Sequence, residues 1–377
     1  MKKVFCILLV FFMCTYTGVG YALDTSAKSA IVIEADGGSV IYEKNASQRL
    51  TMASTTKIMT AICAIEEGDM DKRVKIAPEA VGVEGSSIYL KGDESLTLRE
   101  LVYGLMLNSG NDAAVAIAHA VSGGVDKFAA LMNKKAKEIG VENTQFKNPN
   151  GLDEEGHYTT AHDLALITAY GLKNEEFKKI TSTYQTTIGE GEEKRYLTNH
   201  NKLLKRYDGC IGVKTGFTKK SGRCLVSAAD RGGVMLVAVT LSAPDDWTDH
   251  TNMLNYGFER VKRKNVITKG EKLGVAVIEN GKESHSRIIA KDTFDVSLLN
   301  SSKCIAYFCP PESIEAPVTK GQKIGEVKIY LNGKQIGTVP AVAKDTVPID
   351  DTRYLKTTVI NLIKRFTDFD SKPHNDK

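Results

Sequence analysis

The sequence predicts an α/β plus α fold, in which helices pack on one sheet in a large first domain. A small all-β domain and a C-terminal amphipathic helix follow it. Three observations carry this reading. The apolar pattern up to about residue 265 runs as strands, then helices, then strands and a final helix, so the first and last strands can share a sheet. Between 266 and about 345 only short β segments and turn signals occur. Near the end, Leu355, Val359, Leu362, Phe366 and Phe369 step by four and three, which draws one apolar stripe along a helix. With 377 residues, 42% hydrophobic and 25% charged, the chain can bury two cores.

The first 22 residues read as a signal peptide. Lys2 and Lys3 open it, an apolar run spans Val4 to Cys14, and Gly20 and Ala22 stand three residues and one residue before the expected cut. That run is shorter than the roughly 20 residues that cross a bilayer. The protein is therefore expected to be exported.

Residues 23–265 form the first expected domain. "SAIVIEA" and "SVIYEKN" are strands, and "DGG" between them supplies the positive backbone angles of a tight hairpin. A helix starts near Ala53, places Ile58, Met59, Ile62 and Ile65 at helical spacing, and ends by Gly68. Thr97 and Glu100 have capping-box spacing at the head of "TLRELVYGLML". "NSGND" interrupts the helices before "AAVAIAHAV", and "VDKFAALMNKKAKEIG" is the next helix. The turn-rich "NPNGLDEEGHYTTAHD" is a loop. Strands return at "GCIGVKTG", "GRCLVSAAD" and "GVMLVAVTLSA", and "DDWTDHTNMLNYGFERV" is the closing helix. In the β domain, 266–345, Asn-Gly turns stand at 280–281 and 332–333. Residues 346–377 hold the amphipathic helix, with basic Arg353, Lys356, Lys364 and Arg365; such a helix can lie in the surface of a membrane or dock on the β domain.

Charge and cysteine content exclude some functions. The formal charge is +4, of which Lys2 and Lys3 belong to the leader, so nucleic acid is not an expected partner. Beyond the leader five cysteines remain, an odd number that describes no disulfide framework. Cys210 and Cys224 flank a hairpin and are expected to face each other across it, and Cys304 and Cys309 read as buried thiols. His157 and His162 lie in a polar loop with Asp163, but no third ligand stands at a recognisable spacing. They are expected to be structural or solvated, with no metal site. No cofactor is expected. Trp247 is expected to pack on the closing helix.

The chemistry starts at "ASTTKIMTA". Ser54 and Lys57 are three apart, so on a helix the amine reaches the hydroxyl. A serine needs a base to become a useful nucleophile, and a lysine serves only where burial or a second cation lowers its pKa. By itself this motif is a weak signal. "NSGND" adds Ser109 and Asn111 at a helix break, and "VKTGFT" adds Lys214, Thr215, Gly216 and Phe217 on a strand whose glycine lets a ligand approach the backbone.

Three motifs in this order, S-x-x-K, S-x-N and K-T-G, occur in penicillin-binding proteins and β-lactamases. The chain resembles the low-molecular-mass penicillin-binding proteins that act as serine D-alanyl-D-alanine carboxypeptidases of the S11 type. "RLTMASTTKIMTA", "MLNSGNDAAVAIA", "FKNPNGL", "HYTTAHDLA", "GVKTGFTKKSG" and the distal "IEAPVTKGQKIGEV" carry the resemblance. It implies a β-lactamase or transpeptidase-like catalytic domain with an antiparallel sheet and a helical subdomain.

The resemblance further implies that Ser54 attacks a peptidoglycan stem peptide ending in D-Ala-D-Ala, with Lys57 as base. Ser109 would relay a proton to the leaving D-alanine, and Asn111 would contact Lys57 and the substrate. Lys214 and Thr215 would bind the terminal carboxylate, with Lys214 also helping to keep Lys57 neutral. The N–H groups of Ser54 and Phe217 would form the oxyanion hole. β-Lactam antibiotics would acylate Ser54, and the C-terminal helix would anchor the protein to the membrane surface.

One departure stands out. Some relatives carry an arginine where "TNHNKLL" has His200, so carboxylate binding is expected to rest more heavily on Lys214 and Thr215. A β-lactamase and a catalytically silent peptidoglycan-binding protein are the alternatives. Against the first, no E-x-x-L-N pattern lies between 140 and 200. Against the second, a silent site has no need of Ser54 and Lys57 together. A serine–histidine–aspartate triad is disfavoured, because no serine has a G-x-S-x-G elbow.

Overall fold

The computed structural model describes residues 23–299, 302–352, 355 and 359–360. The expected signal peptide and nearly all of the expected C-terminal helix lie outside these residues.

Strands β1 (Ser29–Glu34) and β2 (Val40–Lys44) form the first hairpin. A 3-10 turn, Ala53–Thr56, leads into α1 (Lys57–Glu67). The short β3 (Arg73–Lys75) and β4 (Ser95–Thr97) pair ahead of α2 (Leu98–Leu107). The capping box is formed at α2: Thr97 Oγ1 accepts the Glu100 N–H at 3.2 Å, and Glu100 Oε2 accepts the Thr97 N–H at 2.7 Å. Helices α3 (Asn111–Ser122), α4 (Val125–Ile139), α5 (Ala161–Gly171) and α6 (Glu175–Ser182) complete the helical half. After the hairpin of β5 (Gln185–Ile188) and β6 (Arg195–Thr198) comes the single turn α7 (Leu203–Arg206). Strands β7 (Cys210–Thr218), β8 (Gly222–Arg231) and β9 (Val234–Leu241) precede α8 (Asp246–Arg260).

The first and last strands do share a sheet, antiparallel throughout, in the order β2-β1-β9-β8-β7. Both of its faces are covered. Ile31 and Ile33 enter the helical core with Ile58 of α1 and Leu105 of α2, while Ala30 and Val32 pack with Met253 and Leu254 of α8. Covered faces explain why β1 reads as a continuous apolar run rather than an alternating one. They also explain why α5 is not evident in the sequence: residues on nearly every side of it are buried, so no polar face marks its period.

The β domain holds β10 (Val261–Ile267), β11 (Lys272–Glu279), β12 (His285–Ala290), β13 (Phe294–Leu299), β14 (Cys304–Tyr307), β15 (Ser313–Glu315), β16 (Lys323–Leu331) and β17 (Lys334–Ala343). Six of them form a sheet ordered β14-β16-β17-β12-β11-β15, and β10 pairs with β13. Asn280 and Asn332 both take positive φ, as Asn-Gly turns require. Pairing extends this domain slightly beyond 266–345, because β10 starts at Val261 and Val347 and Ile349 bridge to Val318 and Gly281.

The thiols depart from expectation. Cys210 lies opposite Ala229 and Cys224 opposite Gly216, so strand register separates them and both are free. Cys304 is only partly buried, because β14 is an edge strand, and Cys309, beyond that strand, is exposed.

Candidate active site

Ser54 stands in the 3-10 turn and Lys57 is the first residue of α1, so the turn lays the serine against the amine. Lys57 is fully buried, and its Nζ lies 2.9 Å from Ser54 Oγ, 2.7 Å from Asn111 Oδ1 and 2.5 Å from the Asn150 carbonyl oxygen. Asn111 is oriented by its own amide, whose Nδ2 donates to the Glu84 carbonyl at 2.5 Å. Two of the three neighbours of Lys57 can only accept. A neutral amine gives them its two N–H bonds and turns its lone pair to the Ser54 hydroxyl, which makes it a base. Burial holds the Lys57 pKa well below the ordinary lysine value; the Lys214 ammonium lowers it further and Asp112 opposes.

Ser109 and Asn111 come from the break between α2 and α3. Ser109 has φ +60, and the Asn111 N–H donates to the Ser86 carbonyl at 2.7 Å. Ser54, Ser109, Thr215, Gly216 and Phe217 line one cleft of about 360 Å³ beside the edge strand β7. Gly216 permits the approach: a β-carbon there would meet Ser54 N at 3.1 Å. The backbones of Ser54 and β7 are thereby brought side by side.

Lys214 acts on Lys57 by its charge, as expected. It is only 1% exposed and donates to the Thr215 carbonyl at 3.1 Å. Burial pushes its pKa down to about 7. Trp247 packs on the α8 side of the core, as expected, and at the same time lines the cleft.

Three contributors, Asn150, Gly151 and Asp112, escaped the sequence reading, and His157 takes the structural one of its two expected roles. Asn150 supplies a carbonyl to Lys57, and Gly151, with φ +86, lets that loop press on the nucleophile turn. Asp112 is buried and accepts from Ser87 Oγ at 2.6 Å and from the N–H groups of Ile88 and Leu90, fixing the loop that borders the cleft. His157 is structural, not solvated. Its Nδ1 accepts the Lys147 N–H at 3.0 Å, so Nε2 carries the proton and donates to Thr56 Oγ1 at 2.8 Å. Thr56 in turn donates to the Ala53 carbonyl at 2.9 Å. Only the turn-forming composition of "NPNGL" hinted at this loop, and no spacing rule connects it to Ser54.

A serine hydroxyl facing a buried lysine of lowered pKa, on the edge of an antiparallel sheet packed between helices, defines a serine–lysine acyl-transfer enzyme site. Residues 17–245 match the family model of the D-alanyl-D-alanine carboxypeptidases, peptidase S11, and residues 262–348 match that of the penicillin-binding protein 5 C-terminal domain. The chain belongs to the S11 D-alanyl-D-alanine carboxypeptidase family. It is 35% identical over 337 residues to D-alanyl-D-alanine carboxypeptidase DacF of Bacillus subtilis (strain 168), covering 86% of each chain. The solved structure of penicillin binding protein 5 from Haemophilus influenzae superposes with a TM-score of 0.65 at 26% identity, covering 86% of this chain and 98% of that one. A D-alanyl-D-alanine carboxypeptidase structure from Mycobacterium tuberculosis H37Rv gives 0.60 at 34% identity, over 63% of this chain and 92% of that one.

Proposed function

We infer that this chain is a serine-type D-alanyl-D-alanine carboxypeptidase that trims the last D-alanine from peptidoglycan stem pentapeptides. The observation that carries the reading is the approach of Lys57 Nζ to within 2.9 Å of Ser54 Oγ in a buried setting that favours the neutral amine.

Lys57 takes the Ser54 proton as the oxygen attacks the carbonyl between the last two D-alanines. The N–H groups of Ser54 and Phe217 hold the oxyanion, a pair of donors worth several kcal/mol as a rough figure. The C–N bond then breaks, and Ser109 passes a proton to the departing amine. Water cleaves the ester on Ser54, and the shortened peptide leaves. A β-lactam carbonyl in the same position acylates Ser54, with the opened ring retained.

Cleavage of residues 1–22 would deliver the enzyme outside the cytoplasm, where its substrate lies. The stripe from Leu355 to Phe369 with its basic flank supports attachment to the outer face of the membrane. A chain ending at Asp350 should then leave the membrane fraction on flotation; if the mature full-length protein is equally soluble, the attachment is refuted.

The test of the activity is release of free D-alanine from a stem pentapeptide, beside Ser54→Ala. Release by the parent and not by the variant supports the reading. Hydrolysis of a β-lactam without D-alanine release would make the protein a β-lactamase instead, and release by both proteins would exclude Ser54 as the nucleophile.

A further inference from the structure

A peptide ending in D-Ala-D-Ala carries a carboxylate, and the wall of the cleft must answer its charge. Lys214 answers it only in part, being 1% exposed, bonded to the Thr215 carbonyl and held by burial at a pKa of about 7. His200 borders the cleft, but enclosure of its ring and the nearby Lys214 hold it below the ordinary histidine pKa, so it is neutral at pH 7. The cleft does hold two other cations, Lys202 and Arg223.

These two are arranged around one indole. Arg223 of β8 stands opposite Phe217 of β7 in the ladder, so strand alternation puts it on the face that carries Thr215 and Phe217. Its Nε and Nη2 donate to Asp246 Oδ1 at 3.1 and 2.8 Å. The Asp246 side chain is 3% exposed and that of Arg223 43%, so the carboxylate is turned inward and the guanidinium outward. Arg223 Cζ lies 5.8 Å and Lys202 Nζ 5.9 Å from the centroid of the Trp247 ring. Asp246 therefore braces the guanidinium while cancelling only one of the two positive charges.

We propose that Arg223 and Lys202, held about Trp247, are specificity-determining residues that select substrates whose leaving group bears a carboxylate. Thr215 and the two cations then share the anion, and the arginine missing at position 200 is replaced by one from the neighbouring strand. A guanidinium suits this task because its planar fork pairs with Asp246 on one edge and a substrate carboxylate on another. The proposal rests on the carboxypeptidase reading.

The test uses the full mature chain and two N-acyl-D-alanyl thioesters. One has mercaptoacetate as its leaving group and so carries a carboxylate where the last D-alanine does; the other has neutral ethanethiol. Arg223→Gln should lower kcat/KM for the acidic thioester about tenfold, mainly through KM, as loss of one charged hydrogen bond would. The neutral thioester should be unaffected, Arg223→Lys should restore part of the preference, and Lys202→Gln should act in the same direction. An equal loss on both thioesters would make Arg223 merely structural and overturn the proposal, as would an unchanged ratio. A parent that releases no D-alanine from the pentapeptide and cleaves neither thioester overturns the carboxypeptidase reading and the selection with it; an active parent with an unaltered ratio overturns the selection alone.

Discussion

Gly151 is seated so tightly on Ala53 that a β-carbon at Gly151 would come within 2.0 Å of the Ala53 carbonyl oxygen. Ala53 immediately precedes the nucleophile and itself has φ +48, so the loop and the turn constrain each other. Gly151→Ala adds a side chain at φ +86 and forces this contact apart. The variant should lose at least about 2 kcal/mol of stability, from left-handed strain and overpacking together. Thermal unfolding and labelling by a fluorescent penicillin measure the two effects. Parental labelling by the variant would show that the loop does not hold Ser54 in place.

Lys57→Met keeps most of the buried volume and removes the lone pair. Acylation of Ser54 by a β-lactam should fall by about 10²–10⁴-fold, the usual contribution of a positioned general base. Stopped-flow acylation reports it. A fall of less than threefold would mean that another group takes the proton.

The Lys214 charge should be visible in the pH profile. Lys57 is a base only when neutral, so kcat/KM rises with pH through its pKa, and burial followed by Lys214 holds that pKa down. With Lys214→Gln the lowering by charge is lost, and the ascending limb should move to higher pH. A limb that stays in place would assign the lowered pKa to burial alone.

Stability should decline in mild acid. His157 is 3% exposed, and burial pushes its pKa down to about 4 from the ordinary 6.5. The unfolded chain therefore binds a proton between these values that the native state refuses. The stability involved is fully present above pH 6.5 and is lost as pH falls toward 4, amounting to about 3 kcal/mol. His157→Gln preserves a donor to Thr56 but does not titrate, so denaturant midpoints should drop less steeply across that window. His250, buried and pushed down to about 3, continues the decline below it. Identical slopes for parent and variant would refute the assignment to His157.

Much of the fold was legible in local patterns. The β1–β2 turn at "DGG", the Thr97–Glu100 cap and the strands around K-T-G each follow from residues close together in the chain. Helix α5 was not legible, because a segment buried on nearly all sides loses the polar face that reveals its period. Cys210 and Cys224 misled for a related reason: flanking a hairpin does not set which residues lie opposite, and a bulge between Cys210 and Gly212 shifts the register.

The site divides along the same line. Sequence by itself determined that Ser54 and Lys57 share a face, since a spacing of three needs only the geometry of one turn. It also determined that S-x-N and K-T-G accompany them in order. Only the tertiary structure decided the surroundings of the Lys57 amine, through burial and carbonyl oxygens contributed 54 and 93 residues further along the chain. It likewise buried Lys214 and brought Arg223 and Trp247 to the cleft. Backbone stereochemistry is settled by a few consecutive residues. A pKa, and the charge a ligand meets, depend on how completely water is excluded and on which distant groups fold into its place.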